Sequence, residues 1–118
     1  MQVHVERLVG GEYGVATVRG EIDLAGVDEL REALHQLIVS GARHLVLDLG
    51  RVTYIDSTGL GVLVGACRRA QSHDGSLAVV GARPRLLSIF KLTGLTGVFT
   101  FVERLDDALP ATGPAASA

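Results

Sequence analysis

The sequence predicts one α/β domain in which a small mixed β-sheet is covered by about four helices. Short apolar runs alternate with segments of helical period after an opening hairpin, and this order is typical of parallel strands joined by crossover helices. The chain has 118 residues, of which 47% are hydrophobic and 20% are charged. This length and composition fit a single globular core.

The opening hairpin is indicated by two short strands around a glycine pair. Val3 and Val5 begin an alternating apolar pattern, and Gly10-Gly11 follows it as a turn signal. Residues 13–19 then form the predicted returning strand. The segment after this strand contains Asp23, and we expect Asp23 or a neighbour to cap the first helix.

The first helix is predicted from five apolar residues at helical spacing, with Gly41 as its C-terminal stop. These residues are Val27, Leu30, Leu34, Leu37 and Ile38. Residues 44–49 are dense in apolar side chains, which favours a strand covered on both faces. We expect residues 52–55 to connect this strand to a second helix over residues 57–70.

The remainder of the domain repeats the strand–helix pattern. Residues 77–80 form a further predicted buried strand, and Pro84 suits the first turn of a third helix. A last short strand is expected at 99–102 and a last helical turn or two at 105–109. The sequence thus predicts a domain over residues 1–109 and a disordered C-terminal tail over residues 110–118.

Composition argues against several kinds of partner. The net charge is −2, no basic run is present and tryptophan is absent, so direct nucleic acid binding is not expected. The apolar stretch 60–67 is far shorter than the ~20 residues that cross a bilayer. We therefore expect no membrane association and a cytoplasmic location.

Catalytic and metal-binding chemistry lacks the necessary groups in suitable patterns. Cys67 is the only cysteine, so neither a disulfide framework nor a thiolate metal cluster is expected. The four histidines are scattered and show no paired ligand spacing; they are His4, His35, His44 and His73. The sequence predicts a protein that is not an enzyme and that uses no cofactor or metal.

The most informative segment is Asp56-Ser57-Thr58-Gly59-Leu60-Gly61, at the start of the second helix. Backbone N–H groups are unpaired at a helix start, and a hydroxyl or carboxylate there is usually a structural cap. Three capping-type residues exceed what one cap needs. Each of the two glycines costs about 0.5–1 kcal/mol relative to alanine. We expect these glycines to clear side chains from the helix start, so that a partner backbone or a phosphate can approach Ser57.

This segment and three others resemble the STAS-domain anti-anti-sigma factors, the bacterial antagonists of anti-sigma factors. The similarity extends from about Val3 to Leu109 without a large insertion. The segments are Gly20-Glu21-Ile22-Asp23, His44-Leu45-Val46-Leu47-Asp48-Leu49, Ile55-Asp56-Ser57-Thr58-Gly59-Leu60-Gly61-Val62-Leu63 and Ile89-Phe90-Lys91-Leu92-Thr93-Gly94-Leu95.

The resemblance implies a STAS fold and a phosphorylation switch. In this family the unphosphorylated antagonist binds an anti-sigma factor that is a serine kinase and thereby frees the sigma factor. The kinase phosphorylates the serine after the motif aspartate, and a PP2C-type phosphatase reverses the modification. Carried over by position, Ser57 is the phosphoacceptor and its neighbour Thr58 is not modified.

The resemblance also implies a partner-binding surface. The sequence does not fix the oligomeric state, and we expect the free protein to be a monomer. Asp23 is expected at the same end of the sheet as the phosphoacceptor. The implied surface comprises Asp23, Asp56, Ser57, Thr58, Gly59, Leu60 and Gly61. The kinase, the phosphatase and the sigma factor are not identified by the sequence.

Two alternatives remain open at this stage. One is a STAS scaffold or a nucleotide-binding regulatory module without sigma-factor control. Gly59, Gly61 and Gly65 resemble a dinucleotide loop faintly, but the third glycine is one place too late. The other is hydrolysis by Ser57, which needs a base from a distant histidine and lacks the Gly-x-Ser-x-Gly pattern.

Overall fold

The computed structural model describes residues 1–110, which form a five-stranded sheet and four helices. The strands are β1 (Gln2–Leu8), β2 (Tyr13–Ile22), β3 (His44–Ile55), β4 (Ser76–Val80) and β5 (Thr100–Val102). The helices are α1 (Val27–Val39), α2 (Ser57–Ser72), α3 (Pro84–Leu92) and α4 (Leu105–Ala108). The predicted disordered tail begins at Pro110, and its residues 111–118 lie outside the described residues.

The strands lie side by side in chain order, from β1 at one edge to β5 at the other. β1 and β2 pair antiparallel as the opening hairpin, while β2, β3, β4 and β5 are all parallel to their neighbours. This mixed sheet confirms the predicted fold class. Because β2 and β3 are parallel, their C-terminal ends lie side by side, and α1 and α2 both begin at that end of the sheet.

The core has two unequal parts on the two faces of the sheet. Successive strand residues point to opposite faces, so Leu45 and Leu47 lie on one side and Val46 on the other. The larger cluster contains Leu45 and Leu47 together with buried residues of α1, α2 and α3. The smaller cluster forms around Val15, Val46 and Val80, with α4 packed against it.

The predicted end of the third strand is wrong, because β3 does not stop at Leu49 but continues to Ile55. Residues 52–55 pair with β2, in a register that runs from Gly20↔Val52 to Ile22↔Ile55. The pairing of β1 ends at Arg19 and that of β4 ends at Val80. The ends of β2 and β3 therefore project beyond the other strands as a two-stranded ladder.

The predicted side-chain cap of α1 is also not observed. The residue before the helix is Gly26, and no side chain caps it. Asp23 acts through its backbone instead, since its carbonyl oxygen accepts hydrogen bonds from the N–H groups of Gly26 and Val27. The predicted stop is confirmed: Gly41 follows the helix with φ at +108°, a conformation that glycine adopts readily.

Candidate functional site

The candidate site lies where the projecting β2–β3 ladder meets the first turn of α2. A single residue, Asp56, connects β3 to α2. Its backbone N–H donates a 3.0 Å hydrogen bond to the carbonyl oxygen of Ile22 at the end of β2. The start of α2 is therefore fixed to the ladder through main-chain atoms.

The carboxylate of Asp56 binds two elements at once. Its Oδ1 accepts hydrogen bonds from the N–H of Gly59 at 3.0 Å and from the Thr58 hydroxyl. Its Oδ2 accepts a 3.1 Å hydrogen bond from the N–H of Leu24 in the loop between β2 and α1. Among the three capping-type residues, Asp56 is thus the N-cap of α2, and it also holds the neighbouring loop.

These hydrogen bonds favour the charged form of the Asp56 carboxyl group. The Thr58 hydroxyl has the largest effect in lowering its pKa, followed by the N–H of Gly59, while the N–H of Leu24 contributes less. Partial burial opposes the shift without reversing it. Asp56 therefore carries a negative charge at neutral pH, directly beside Ser57.

The two hydroxyl groups that follow Asp56 differ in their hydrogen bonding. Both Ser57 and Thr58 are exposed. The Thr58 hydroxyl donates to Asp56, whereas the Ser57 hydroxyl forms no hydrogen bond with any of residues 1–110. Of these two hydroxyl groups, only that of Ser57 can be reached by a second protein without breaking a hydrogen bond within residues 1–110.

The two glycines of the segment have different surroundings. Gly59 is buried, and a Cβ atom there would lie 2.7 Å from Cγ2 of Ile22 and 2.8 Å from Cγ1 of Ile55. Its lack of a side chain allows α2 to approach the ladder, which differs from the predicted role in exposing Ser57. Gly61 is exposed with open space where a Cβ atom would be, as its predicted role requires.

The remaining predicted site residues are placed as follows. Leu60 is only 7% exposed and belongs to the large core cluster. Asp23 is half-buried in the loop that Asp56 holds, and its Oδ1 accepts a 3.1 Å hydrogen bond from the N–H of Ala25. The structure thus brings the Asp23 loop to the start of α2. Gly59 and Leu60 are buried beneath the surface of the site and contribute to its shape through packing.

Three residues that sequence reasoning did not select also lie at this end of the molecule. Leu24 is 73% exposed in the loop between β2 and α1, and Tyr54 is 47% exposed on the ladder. Arg31 of α1 lines a groove of about 270 Å³ together with Ser57. These residues could have been found from the predicted topology, because parallel strands bring the starts of α1 and α2 to the same end of the sheet.

The geometry does not favour the alternative sites. Gly59, Gly61 and Gly65 all lie inside α2, so no glycine-rich loop precedes the helix to surround a phosphate chain. Within residues 1–110, no three His, Cys, Asp or Glu side chains are grouped to hold a metal ion. No helix in this part of the chain combines the length and apolarity needed to cross a membrane.

Comparison with known proteins defines the class to which this fold and site belong. The family model of the STAS domain matches residues 5–108. The anti-sigma-B factor antagonist of Staphylococcus aureus (strain NCTC 8325 / PS 47) is 34% identical over 95 residues, which cover 80% of this chain and 88% of that protein. The chain therefore belongs to the STAS-domain family of anti-sigma factor antagonists.

Solved structures show the same relationship. An anti-sigma factor antagonist from Mycobacterium paratuberculosis matches with a TM-score of 0.80 and 30% identity, covering 91% of this chain and 89% of that one. The Bacillus antagonist SpoIIAA matches in its unphosphorylated form (TM-score 0.72, 19% identity, 90% and 92% coverage). Its phosphorylated form matches equally well (TM-score 0.71, 20% identity, 90% and 96% coverage). The SpoIIAA comparisons establish the fold alone.

Proposed function

We propose that this chain is an anti-sigma factor antagonist controlled by phosphorylation of Ser57, and not an enzyme. The unphosphorylated form binds an anti-sigma factor that is a serine kinase, and the sigma factor is released. Phosphorylation of Ser57 by that kinase ends the binding, and a PP2C-type phosphatase restores it. The observation that carries this proposal is the exposed Ser57 hydroxyl, which is free of hydrogen bonds within residues 1–110 and stands beside an ionised Asp56.

The chemistry asks little of this chain. The Ser57 oxygen attacks the γ-phosphorus of ATP held by the kinase, a new O–P bond forms, and the bond to the β-phosphate oxygen breaks to release ADP. The serine proton passes to a base of the kinase, which also positions the phosphates with magnesium. The antagonist supplies an accessible hydroxyl, and Ser57 meets that requirement better than Thr58.

The partner-binding surface is proposed to surround this hydroxyl. Its exposed or half-exposed members from the sequence prediction are Asp23, Asp56, Ser57, Thr58 and Gly61. Leu24, in the loop that Asp56 holds, adds exposed apolar area to the same surface. Gly59 and Leu60 are buried and act by setting its shape.

Phosphate at Ser57 would act on this interface through charge. A phosphoserine adds about −1.5 to −2 charges at neutral pH. This charge stands beside the Asp56 carboxylate, and both must lose water when a partner covers them. Like charges at an interface cost several kcal/mol, and about 1.4 kcal/mol changes affinity tenfold. Phosphorylation can therefore end binding without any change of fold.

The phosphoacceptor is tested by incubating the protein with its cognate kinase and ATP and locating the phosphate by mass spectrometry. Ser57→Ala is expected to abolish phosphorylation, whereas Thr58→Ala is the matched control and is expected to keep it. If Ser57→Ala is phosphorylated at the wild-type level, the assignment to Ser57 is wrong.

The switch is tested by measuring kinase binding by isothermal titration calorimetry. Ser57→Ala is expected to bind as tightly as the wild type, because it removes only an unbonded hydroxyl. Ser57→Glu is expected to bind at least tenfold more weakly, since it places a second carboxylate beside Asp56. Wild-type affinity in the Ser57→Glu variant would argue against a charge-based switch.

A further inference from the structure

A groove between α1 and α2 leads away from the proposed phosphoacceptor. It has a volume of about 270 Å³, and Ser57, Gly61 and Gly65 form one wall at intervals of four residues along α2. Arg31 from α1 and Arg69 from α2 supply its cationic side chains. The two glycines keep the groove open because neither carries a side chain.

A phosphate on Ser57 would need positive charge nearby, and the free N–H groups at the start of α2 supply only part of it. A helix N-terminus attracts anions through its free N–H groups and its dipole. In this chain Asp56 already occupies the N-cap, where it accepts the N–H of Gly59 and carries a negative charge. The phosphate would be the second anion at one helix start, so a nearby cation becomes important.

The charged groups at the starts of α1 and α2 and along the groove come from three parts of the chain. They are Asp56, which precedes α2, with Arg69 of α2; Asp23 of the loop between β2 and α1; and Asp28, Glu29 and Arg31 of α1. Four of these six groups are carboxylates. The phosphate therefore has two arginines as candidate partners.

Position distinguishes the two arginines. Arg31 lies about one turn into α1, and α1 and α2 begin at the same edge of the sheet. Arg69 lies twelve residues after Ser57 on α2, which is about 18 Å along a helix axis. Its Nη1 lies 3.7 Å from the Cβ position of Gly65, in the distant part of the groove. Arg31 is the arginine placed near the modified serine.

The present partner of Arg31 is held weakly. Arg31 forms an ion pair with Asp28 on its own helix, and the two side chains are 52% and 89% exposed. Exposed pairs of this kind stabilise a protein by only about 0–1 kcal/mol. A phosphate dianion, with more charge and three acceptor oxygens, is a stronger partner for a guanidinium group.

We infer that Arg31 leaves Asp28 and binds the phosphoryl group when Ser57 is phosphorylated. This inference rests on the proposed function, because it assumes phosphate at Ser57. The ion pair would hold the phosphate against α1 and would leave the Asp28 carboxylate unpaired at the surface. One phosphorylation event thus changes the charge pattern of both helices that border the groove.

The test uses full-length protein in which phosphoserine is incorporated at position 57 during translation. The second pKa of the phosphate is measured by ³¹P NMR titration in the wild type and in Arg31→Gln, Arg31→Lys and Arg69→Gln. A neighbouring cation lowers a phosphate pKa. Arg31→Gln is expected to raise this pKa by roughly 0.5 unit or more. Arg31→Lys is expected to restore part of the difference, and Arg69→Gln to leave the pKa close to that of the wild type.

Two results would overturn the inference: an unchanged phosphate pKa in Arg31→Gln, or an equal rise in Arg69→Gln. Circular dichroism of each variant controls for loss of fold. Because the phosphoserine is incorporated without the kinase, this result is independent of whether the kinase selects Ser57. Failure of the proposed function would appear instead as phosphorylation of Ser57→Ala by the kinase.

Discussion

At the scale of single residues, Asp56 determines the geometry of the site more than Ser57 does. Its N–H bonds the end of β2, one carboxylate oxygen caps α2, and the other holds the loop at Leu24. All these contacts are made before any partner binds. Ser57 is consequently presented on a surface whose shape is already fixed.

The role of Thr58 is testable through the pKa of Asp56. Thr58→Val removes the hydroxyl that most strongly lowers this pKa, so the Asp56 pKa is expected to rise toward its ordinary value of 3.8. ¹³C NMR of the carboxyl group measures the shift. Ser57→Ala is the control and is expected to leave the Asp56 pKa unchanged, because its hydroxyl does not bond Asp56.

The same shift makes a prediction about stability and pH. A pKa that is lower in the folded state means that the carboxylate stabilises the fold above the unfolded-state pKa, and that this contribution disappears as pH falls through the folded-state pKa. The stability difference between wild type and Thr58→Val is therefore expected to be largest near neutral pH and to shrink below about pH 4. Urea unfolding across this range measures it, and a difference that grows in acid would contradict the prediction.

The two glycines provide a matched pair of stability predictions. Gly59→Ala is expected to destabilise the domain by about 1–3 kcal/mol, because the new methyl group collides with Ile22 and Ile55. Gly61→Ala meets no atom of the described part of the chain within 4 Å and is expected to stabilise the domain by about 0.5–1 kcal/mol. Chemical denaturation measures both, and equal effects would show that the close approach at Gly59 is not a constraint.

At the scale of elements, α3 packs on the sheet through two buried side chains, Leu86 and the aromatic Phe90. Phe90 is fully buried, and its ring packs edge-on against Phe99 at 5.7 Å and Phe101 at 5.1 Å between centroids. These rings join α3 to β5 and to the segment before it. The short β5 strand thus gains a side-chain anchor in addition to its backbone pairing with β4.

This anchor predicts contrasting effects for two neighbouring residues of α3. Phe90→Ala is expected to lower the free energy of unfolding by about 3–5 kcal/mol, since it opens a cavity among the rings. Leu92→Ala changes a side chain that is 86% exposed and is expected to alter stability by no more than about 0.5 kcal/mol. Thermal or urea unfolding compares them, and similar losses for both would disprove the anchoring role.

At the scale of the whole molecule, the exposed edge of β1 bears on the predicted monomeric state. Among the strands of residues 1–110, β1 pairs only with β2, so no described strand covers its outer edge. His4, Glu6 and Arg7 along β1 are exposed polar residues of the kind that oppose edge-to-edge pairing. We expect the free protein to sediment as a monomer in analytical ultracentrifugation at micromolar concentration, and a stable dimer would contradict this prediction.

The strand–helix order and the position of the site could be predicted because each leaves a local pattern. The apolar residues of α1 recur at helical spacing, and the polar segment at the start of α2 is continuous, so both patterns are recognisable within a short stretch of sequence. The end of β3 was predicted wrongly because residues 50–55 break the apolar run; Arg51, Thr53 and Tyr54 are exposed on a ladder with only one neighbouring strand. A pattern for a fully covered strand cannot identify such an extension.

Other features depend on contacts between distant parts of the chain. The buried role of Gly59 comes from Ile22, which lies 37 residues earlier in the sequence. The position of Arg31 in the same groove as Ser57 follows from the packing of α1 along α2. Neither juxtaposition leaves a local signal, so the sequence alone predicted neither the burial of Gly59 nor the position of Arg31 in the groove.

The way Asp56 holds the loop after β2 has an evolutionary consequence. The loop is held through the backbone N–H of Leu24, so the contact does not depend on which side chain stands at that position. Mutations at Leu24 and Ala25 can therefore accumulate while the geometry around Ser57 persists. Under the proposed function, a duplicated gene could acquire a new cognate kinase through these positions, and several antagonists could operate in one cell without cross-talk.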